Sequence, residues 1–228
     1  MKKILSFSLV FTFLAFGVVT VSNAQYGKWQ HNTSFKNIEF EKVKFRNDGK
    51  EYYSDALYAS GVLMEPTVIQ GYPCHKKIIL DKDGNPTQFI LAEDAAVAGN
   101  DFKKNTFVAI RKDNGYLIHC QYTTEVQGYK IKKTPYRSPF FVGNTNFQLY
   151  PSGKLSYFEP IDDIEIDGVH CRPSGVRGGI KLYEDGKLKE CTSAGDQTIQ
   201  GKKVGKNFEL RFDENGNLIY ATKEKVFN

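Results

Sequence analysis

Six short turn signals recur along this chain, and they constrain its fold more than any other feature. They end at Gly49, Gly84, Gly115, Gly153, Gly186 and Gly216, each preceded by Asp, Asn or Ser. Glycine takes positive φ at no steric cost, and Asp and Asn tolerate it better than most residues. Such pairs therefore close tight β-hairpins. The intervals between the glycines are 35, 31, 38, 33 and 30 residues. One such turn would carry little information, but six at near-regular spacing make a repeat.

The flanks agree with hairpins. Apolar residues stand six and four positions before the glycine, as in Val43 and Phe45, Ile78 and Leu80, Phe147 and Leu149, Ile180 and Leu182, Leu210 and Phe212. The third unit has one more turn residue, which moves its pair to Val108 and Ile110. Period-two spacing puts each pair on one face of a strand. Two residues past the glycine stands Leu117, Leu155, Leu188 or Leu218, with Glu51 and Pro86 as the exceptions.

A second landmark lies between the hairpins. Ile69-Gln70-Gly71, Val97-Ala98-Gly99, Val126-Gln127-Gly128, Ile166-Asp167-Gly168 and Ile199-Gln200-Gly201 share the form β-branched, any, glycine. Three residues later the chain is apolar again, at Cys74, Phe102, Ile131, Cys171 and Val204. This reads as a reversal that returns the chain for the next hairpin. The best amphipathic helix candidate, Glu51 to Ser60, is short and rich in tyrosine. The expected fold is all-β: an antiparallel meander of about six repeated β-hairpins forming an extended or curved sheet. The domain limits expected are 1–24 for a signal peptide, 25–42 for a lead-in segment and 43–228 for the repeat.

Pro151-Ser152-Gly153-Lys154-Leu155, Glu184-Asp185-Gly186-Lys187-Leu188 and Glu214-Asn215-Gly216-Asn217-Leu218 carry a resemblance to a known class. The pattern resembles bacterial secreted β-hairpin repeats, MORN-like and antitoxin-type Asn-Gly-Lys-Leu repeats among them. It differs in lacking dense Tyr-x-Gly spacing and in having a unit of roughly thirty residues. The resemblance implies a sheet used for binding or scaffolding and transfers no catalytic residue.

The first residues belong to export rather than to the fold. Met1-Lys2-Lys3 is basic, Ile4 to Ala24 carries no charge, and Ser22-Asn23-Ala24 offers small residues for cleavage before Gln25. That order is a secretory signal. No cysteine precedes Cys74, which argues against a lipoprotein. No second apolar stretch reaches spanning length, so no integral membrane segment is expected after cleavage. The expected location is periplasmic or secreted. The chain has a formal net charge of +5, with lysines interleaved among acids. No basic stripe is visible, so nucleic acid is not an expected partner.

The four cysteines sit in core slots of the repeat. Cys74 and Cys171 take the apolar position after the reversal, and Cys120 and Cys191 lie five residues past the turn glycine, where Phe89, Phe158 and Ala221 stand elsewhere. Buried thiols are one reading. A disulfide is the other. Equivalent positions two units apart in an open meander are separated by roughly 19 Å, which leaves Cys171–Cys191 or Cys74–Cys120 as the feasible bridges. Cys74-His75, His119-Cys120 and His170-Cys171 suggest zinc, but adjacent strand residues face opposite ways, so inward cysteines imply outward histidines. No metal or other cofactor is expected.

Catalytic signatures are missing from the sequence: no Gly-x-Ser-x-Gly motif occurs, and no cysteine has neighbours that would lower its pKa. Asp162, Asp163, Glu165 and Asp167 read as a solvated acidic turn. The Asp81-x-Asp83-Gly84-Asn85 stretch fails the calcium-loop pattern, with glycine at the wrong place and no closing Glu. Two insertions depart from the repeat: Thr134 to Thr145 and Arg172 to Gly179. Their residues Tyr136, Arg137, Phe140, Phe141, Arg172 and Arg177 are types favoured at binding hot spots, although Phe140 and Phe141 would equally serve to cap a sheet edge. Tyr53, Tyr157 and Tyr220 sit four residues past their turn glycines, where Gln88, His119 and Glu190 sit in other units, and would form an outer-face ladder. The expected function is an exported, non-enzymatic interaction or scaffold module with a protein or glycan partner. The alternatives are a glycan or small-ligand binder using the outer-face aromatics, or an enzyme of unrecognised type.

Overall fold

The computed structural model describes residues 28–45, 58–111, 115–133, 147–173 and 179–223. In chain order, β1 (Trp29–Phe35) and β2 (Ile38–Phe45) form a hairpin that continues into β3 (Ala59–Leu63). A short hairpin follows, β4 (Thr67–Ile69) with β5 (Tyr72–Cys74), and then a longer one, β6 (Lys77–Leu80) with β7 (Pro86–Ile90). The alternation repeats with β8 (Ala95–Val97) and β9 (Asn100–Phe102), then β10 (Phe107–Arg111) and β11 (Gly115–His119). Next come β12 (Thr124–Val126) and β13 (Tyr129–Ile131), then β14 (Phe147–Leu149) and β15 (Leu155–Phe158). The short pair β16 (Ile164–Ile166) and β17 (Val169–Arg172) precedes β18 (Ile180–Leu182) and β19 (Leu188–Ser193). The last units are β20 (Gln197–Ile199) with β21 (Lys202–Val204), and β22 (Phe208–Phe212) with β23 (Leu218–Lys223).

The fold is all-β among the described residues, as the alternation of the sequence predicts. The first strands of the chain and each longer hairpin join one open antiparallel meander that runs from β1 to β23. β17 also pairs with β19, which brings β16 and β17 into the same 15-stranded sheet. The lead-in expected outside the repeat is therefore part of the sheet. Its turn, Lys36-Asn37, takes φ of 51° and 64° without a glycine, which is why the turn pattern misses it.

The reversals are more than returns. Each is a hairpin of its own, and the residue before the glycine also has positive φ: Gln70, Ala98, Gln127, Asp167 and Gln200 lie between 49° and 52°. Positive φ at both central residues gives the turn that matches the twist of paired strands. The apolar residues of these short hairpins, such as Ile69, Val97, Phe102, Val126, Ile131 and Ile166, belong to the same buried cluster as Val108, Ile118, Phe147 and Phe158 of the long strands. The molecule thus has two layers. The meander is one, a row of short hairpins is the other, and the core lies between.

Two devices tie the layers together. In three units the third residue after the reversal glycine bridges to the seventh after the next turn glycine, in Cys74–Leu91, Ile131–Pro160 and Cys171–Ser193. In the last three units the residue before the reversal glycine also reaches the tip of the next long hairpin. Gln127 accepts from the Leu155 N–H at 3.1 Å and donates to the Gly153 carbonyl at 2.9 Å, and Gln200 does the same with Leu218 at 2.9 Å and Gly216 at 2.8 Å. Asp167 accepts from the Leu188 N–H at 2.7 Å. Neighbouring turns are linked as well: the Tyr150 hydroxyl donates to the Leu182 carbonyl and the Tyr183 hydroxyl to the Phe212 carbonyl. Gly153 fits beneath this arrangement because it lacks a Cβ, which would stand 2.0 Å from the Ala98 carbonyl oxygen.

Candidate functional site

One row of residues crosses the meander on the face away from the short hairpins. Successive partners across the strands are Trp29, Lys44, Ser60, Ile79, Gln88, Ala109, Leu117, Gln148, Tyr157, Lys181, Glu190, Arg211 and Tyr220. From Lys44 to Arg211 each member has a core residue beside it on its strand, so this part of the row is the outer counterpart of Val108, Ile118 and Phe147. The row changes character along its length. Ile79, Ala109 and Leu117 are buried yet stand outside the inter-layer core, whereas Lys181, Glu190, Arg211 and Tyr220 form a polar surface.

Leu117 shows how a local irregularity decides a face. In the last three long hairpins a register shift leaves Ser156, Lys189 and Ile219 as extra residues, which turns Leu155, Leu188 and Leu218 into the core. The hairpin β10–β11 pairs Ala109 with Leu117 and Arg111 with Gly115 without a shift. The same sequence position therefore points the other way. His119 consequently pairs with Phe107 and lies off the row, where Gln88, Tyr157, Glu190 and Tyr220 stand.

The polar end of the row is built from charge pairs. Lys181 Nζ lies 2.8 Å from Glu190 Oε1, and Arg211 Nε lies 3.6 Å from Glu190 Oε2. Arg211 also pairs with Glu209 on its own strand, and its guanidinium stands 5.0 Å from the Tyr220 ring centre. The groups are partly exposed, so these pairs hold geometry more than they add stability. Tyr157 is held from both sides: the Gly179 N–H donates to its hydroxyl at 3.0 Å, and that hydroxyl donates to Glu159 at 3.2 Å. Burial pushes its phenol up to about 12. Tyr220 is 41% exposed and Ile219 65% exposed on the last strand.

The structure places the sequence candidates as follows. Tyr157 and Tyr220 share the row, separated by Lys181, Glu190 and Arg211, a distance of roughly 19 Å. Arg172 is half-buried at the end of β17, where its guanidinium donates to Asn207 Oδ1. Tyr53, Tyr136, Arg137, Phe140, Phe141 and Arg177 lie outside the described residues. Lys181, Glu190 and Arg211 were not singled out from the sequence. Their signal was present, since Lys181 and Arg211 stand five residues before a turn glycine, between the two apolar positions.

The cysteines divide. Cys171 and Cys191 form a disulfide with Cα atoms 5.9 Å apart, joining a short hairpin to the long one that follows. Cys74 and Cys120 are buried thiols whose pKa values burial pushes up to about 12 and about 11. In the repeat, the two positions that the disulfide spans are occupied by Cys74 with Phe89 and by Phe102 with Cys120. At the repeat position that would partner each of these thiols stands a phenylalanine.

The outward direction expected of the histidines fails at His75, which is buried beside buried Cys74. β5 ends at Cys74, so strand alternation no longer governs the next residue. His170 is exposed and its Nε2 lies 3.4 Å from Glu165 Oε2. Asp81 works as a turn residue: its carboxylate accepts from the N–H groups of Asp83 and Asn85 and from the Asn85 amide. Asp213 repeats this with Asn215 and Asn217. Among the described residues no three His, Cys, Asp or Glu side chains gather as metal ligands. No protein-family model, curated protein or solved structure matches the chain.

Proposed function

We propose that this chain is an exported, non-enzymatic β-repeat protein that acts as an interaction or scaffold module. Its contact surface in this reading is the outer face over β15, β18, β19, β22 and β23. The observation that carries it is the ordered polar row Tyr157, Lys181, Glu190, Arg211 and Tyr220, held on a sheet whose other face is braced by the short hairpins. Side chains fixed by mutual pairing lose little freedom when a partner binds, which favours recognition. Aromatic and arginine side chains are the types that anchor such contacts. The signal-like N-terminus supports export. The disulfide supports it too, since such bonds persist in oxidising compartments. The thiols of Cys74 and Cys120 are buried and held protonated, which makes them poor nucleophiles.

The test is a double charge reversal, Lys181→Glu with Arg211→Glu, in the mature chain. Tagged wild-type and variant proteins of equal melting temperature are used to capture partners from an envelope extract. Partners held by the wild type and lost by the variant support the reading. Identical captured sets, or a sugar from a glycan panel that raises the melting temperature of both proteins equally, contradict it.

A further inference from the structure

Among the described residues His75 alone of the histidines is buried, at 8% exposure, and its Nε2 has no hydrogen-bond partner there. It sits where three segments meet. Its own N–H donates to the Ile90 carbonyl at the end of β7, while Ala92 donates back to the Pro73 carbonyl on β5. The turn after β9 closes the junction, with Asn105 donating to the Leu91 carbonyl and Leu91 to the Thr106 carbonyl.

The fifth unit contains the same junction with different chemistry. Arg172 also follows a cysteine, and it donates to Asn207, which matches Asn105 in position and in its positive φ (64° and 68°). Asn207 donates to the Ser193 carbonyl as Asn105 does to that of Leu91. A long guanidinium spans this site and still reaches water, so a permanent charge is tolerated there. The imidazole is too short to do so, and it is buried.

We propose that His75 is an acid-sensitive pin: neutral, it closes the seam between the β4–β5 hairpin and the next unit, and protonated, it opens that seam and exposes Cys74. The physical cause is the cost of a buried charge without compensation. The titratable residues on the segments that meet at this junction are Tyr72 and Cys74 on β5, Lys76 and Lys77 at the start of β6, Glu93 and Asp94 after β7, and Lys103 and Lys104 after β9. Lys76 and Lys104 oppose its protonation, while Asp94 accepts the Lys104 N–H at 2.8 Å. Burial, then these lysines, hold its pKa below the ordinary histidine value, against a smaller opposing effect from Asn105. For a base lowered in the folded state, the closed seam has its full stability above the unfolded histidine pKa. That stability is lost as pH falls through this value toward the folded one. The window is therefore mildly acidic.

The experiment uses the mature chain and a disulfide thiol reagent that reacts in acid, with labelling read by peptide mass spectrometry. Cys120, buried in the next unit, serves as internal reference. In the wild type, Cys74 labelling accelerates several-fold between neutral and mildly acidic pH while Cys120 labelling does not. In His75→Gln, which cannot be protonated, Cys74 stays protected at both. Equal acid labelling of Cys74 in the two proteins, or Cys74 and Cys120 opening together, overturns the proposal. Should the variant fail to fold, titration of the wild-type imidazole by NMR decides. A midpoint below the ordinary histidine value agrees, and one at or above it contradicts.

Discussion

The first and last units of this protein follow one plan but are bound together differently. In the last three long hairpins the preceding short hairpin reaches over to the tip, through Gln127 to Leu155, Asp167 to Leu188 and Gln200 to Leu218. Among the described residues the hairpins β6–β7 and β10–β11 show no such contact. Gln70 occupies the equivalent turn position, but the residue that should donate is Pro86, which has no N–H. Ala98 has no side-chain acceptor at all. The cysteines follow the same division, with a disulfide at Cys171–Cys191 and buried thiols at Cys74 and Cys120. A repeat can therefore keep its topology while the ties between its layers vary from unit to unit.

The strongest way to break this difference is to remove the disulfide. Replacing both Cys171 and Cys191 by alanine opens a loop with a sequence separation of 20, a change that costs about 3 kcal/mol by loop-closure entropy. Denaturant unfolding should show the loss in the midpoint. A variant as stable as the wild type would mean that packing alone holds that hairpin. Next in size is Gln200→Ala, which removes an acceptor for the Leu218 N–H and a donor to the Gly216 carbonyl. The expected loss is about 1 kcal/mol, because each such bond contributes modestly and the site is partly open to water. An unchanged unfolding midpoint would show that water replaces the tie at no cost.

The smallest expected effect comes from adding a tie where one is missing. Pro86→Leu restores the residue found at Leu155, Leu188 and Leu218 and supplies an N–H opposite Gln70. Global stability should change little, since the new bond is offset by greater freedom of the unfolded chain. The informative readout is amide exchange: the new amide at position 86 should exchange as slowly as that of Leu155. Fast exchange there would mean that Gln70 does not reach.

Much of this architecture was legible in the sequence, and the physical reasons are specific. The turn glycines and the apolar pairs around them, such as Ile180 and Leu182, report strand alternation directly, and the structure keeps both in the core. The reversal triplets were visible too, but a β-branched residue, any residue and a glycine do not say whether the flanking segments pair with each other. Hidden from the sequence was whatever depends on a one-residue shift. Leu117 and Leu155 hold the same place relative to their glycines, yet a bulge at Ser156 puts one in the core and its absence puts the other on the outer face. The candidate surface was half-legible for the same reason. Tyr157 and Tyr220 could be aligned by counting, whereas the pairing of Lys181 and Arg211 with Glu190 needs the register between three strands.

Hydrogen exchange resolved to single amides tests the central claim most directly, because the ties end on individual backbone N–H groups. The account predicts that Leu155, Leu188 and Leu218 exchange slowly in the wild type. It further predicts that Gln127→Ala speeds exchange at Leu155 while leaving Leu188 and Leu218 unchanged. Equal acceleration at all three, or none at Leu155, would contradict a structure in which each of the last three short hairpins holds the tip of the long hairpin that follows it.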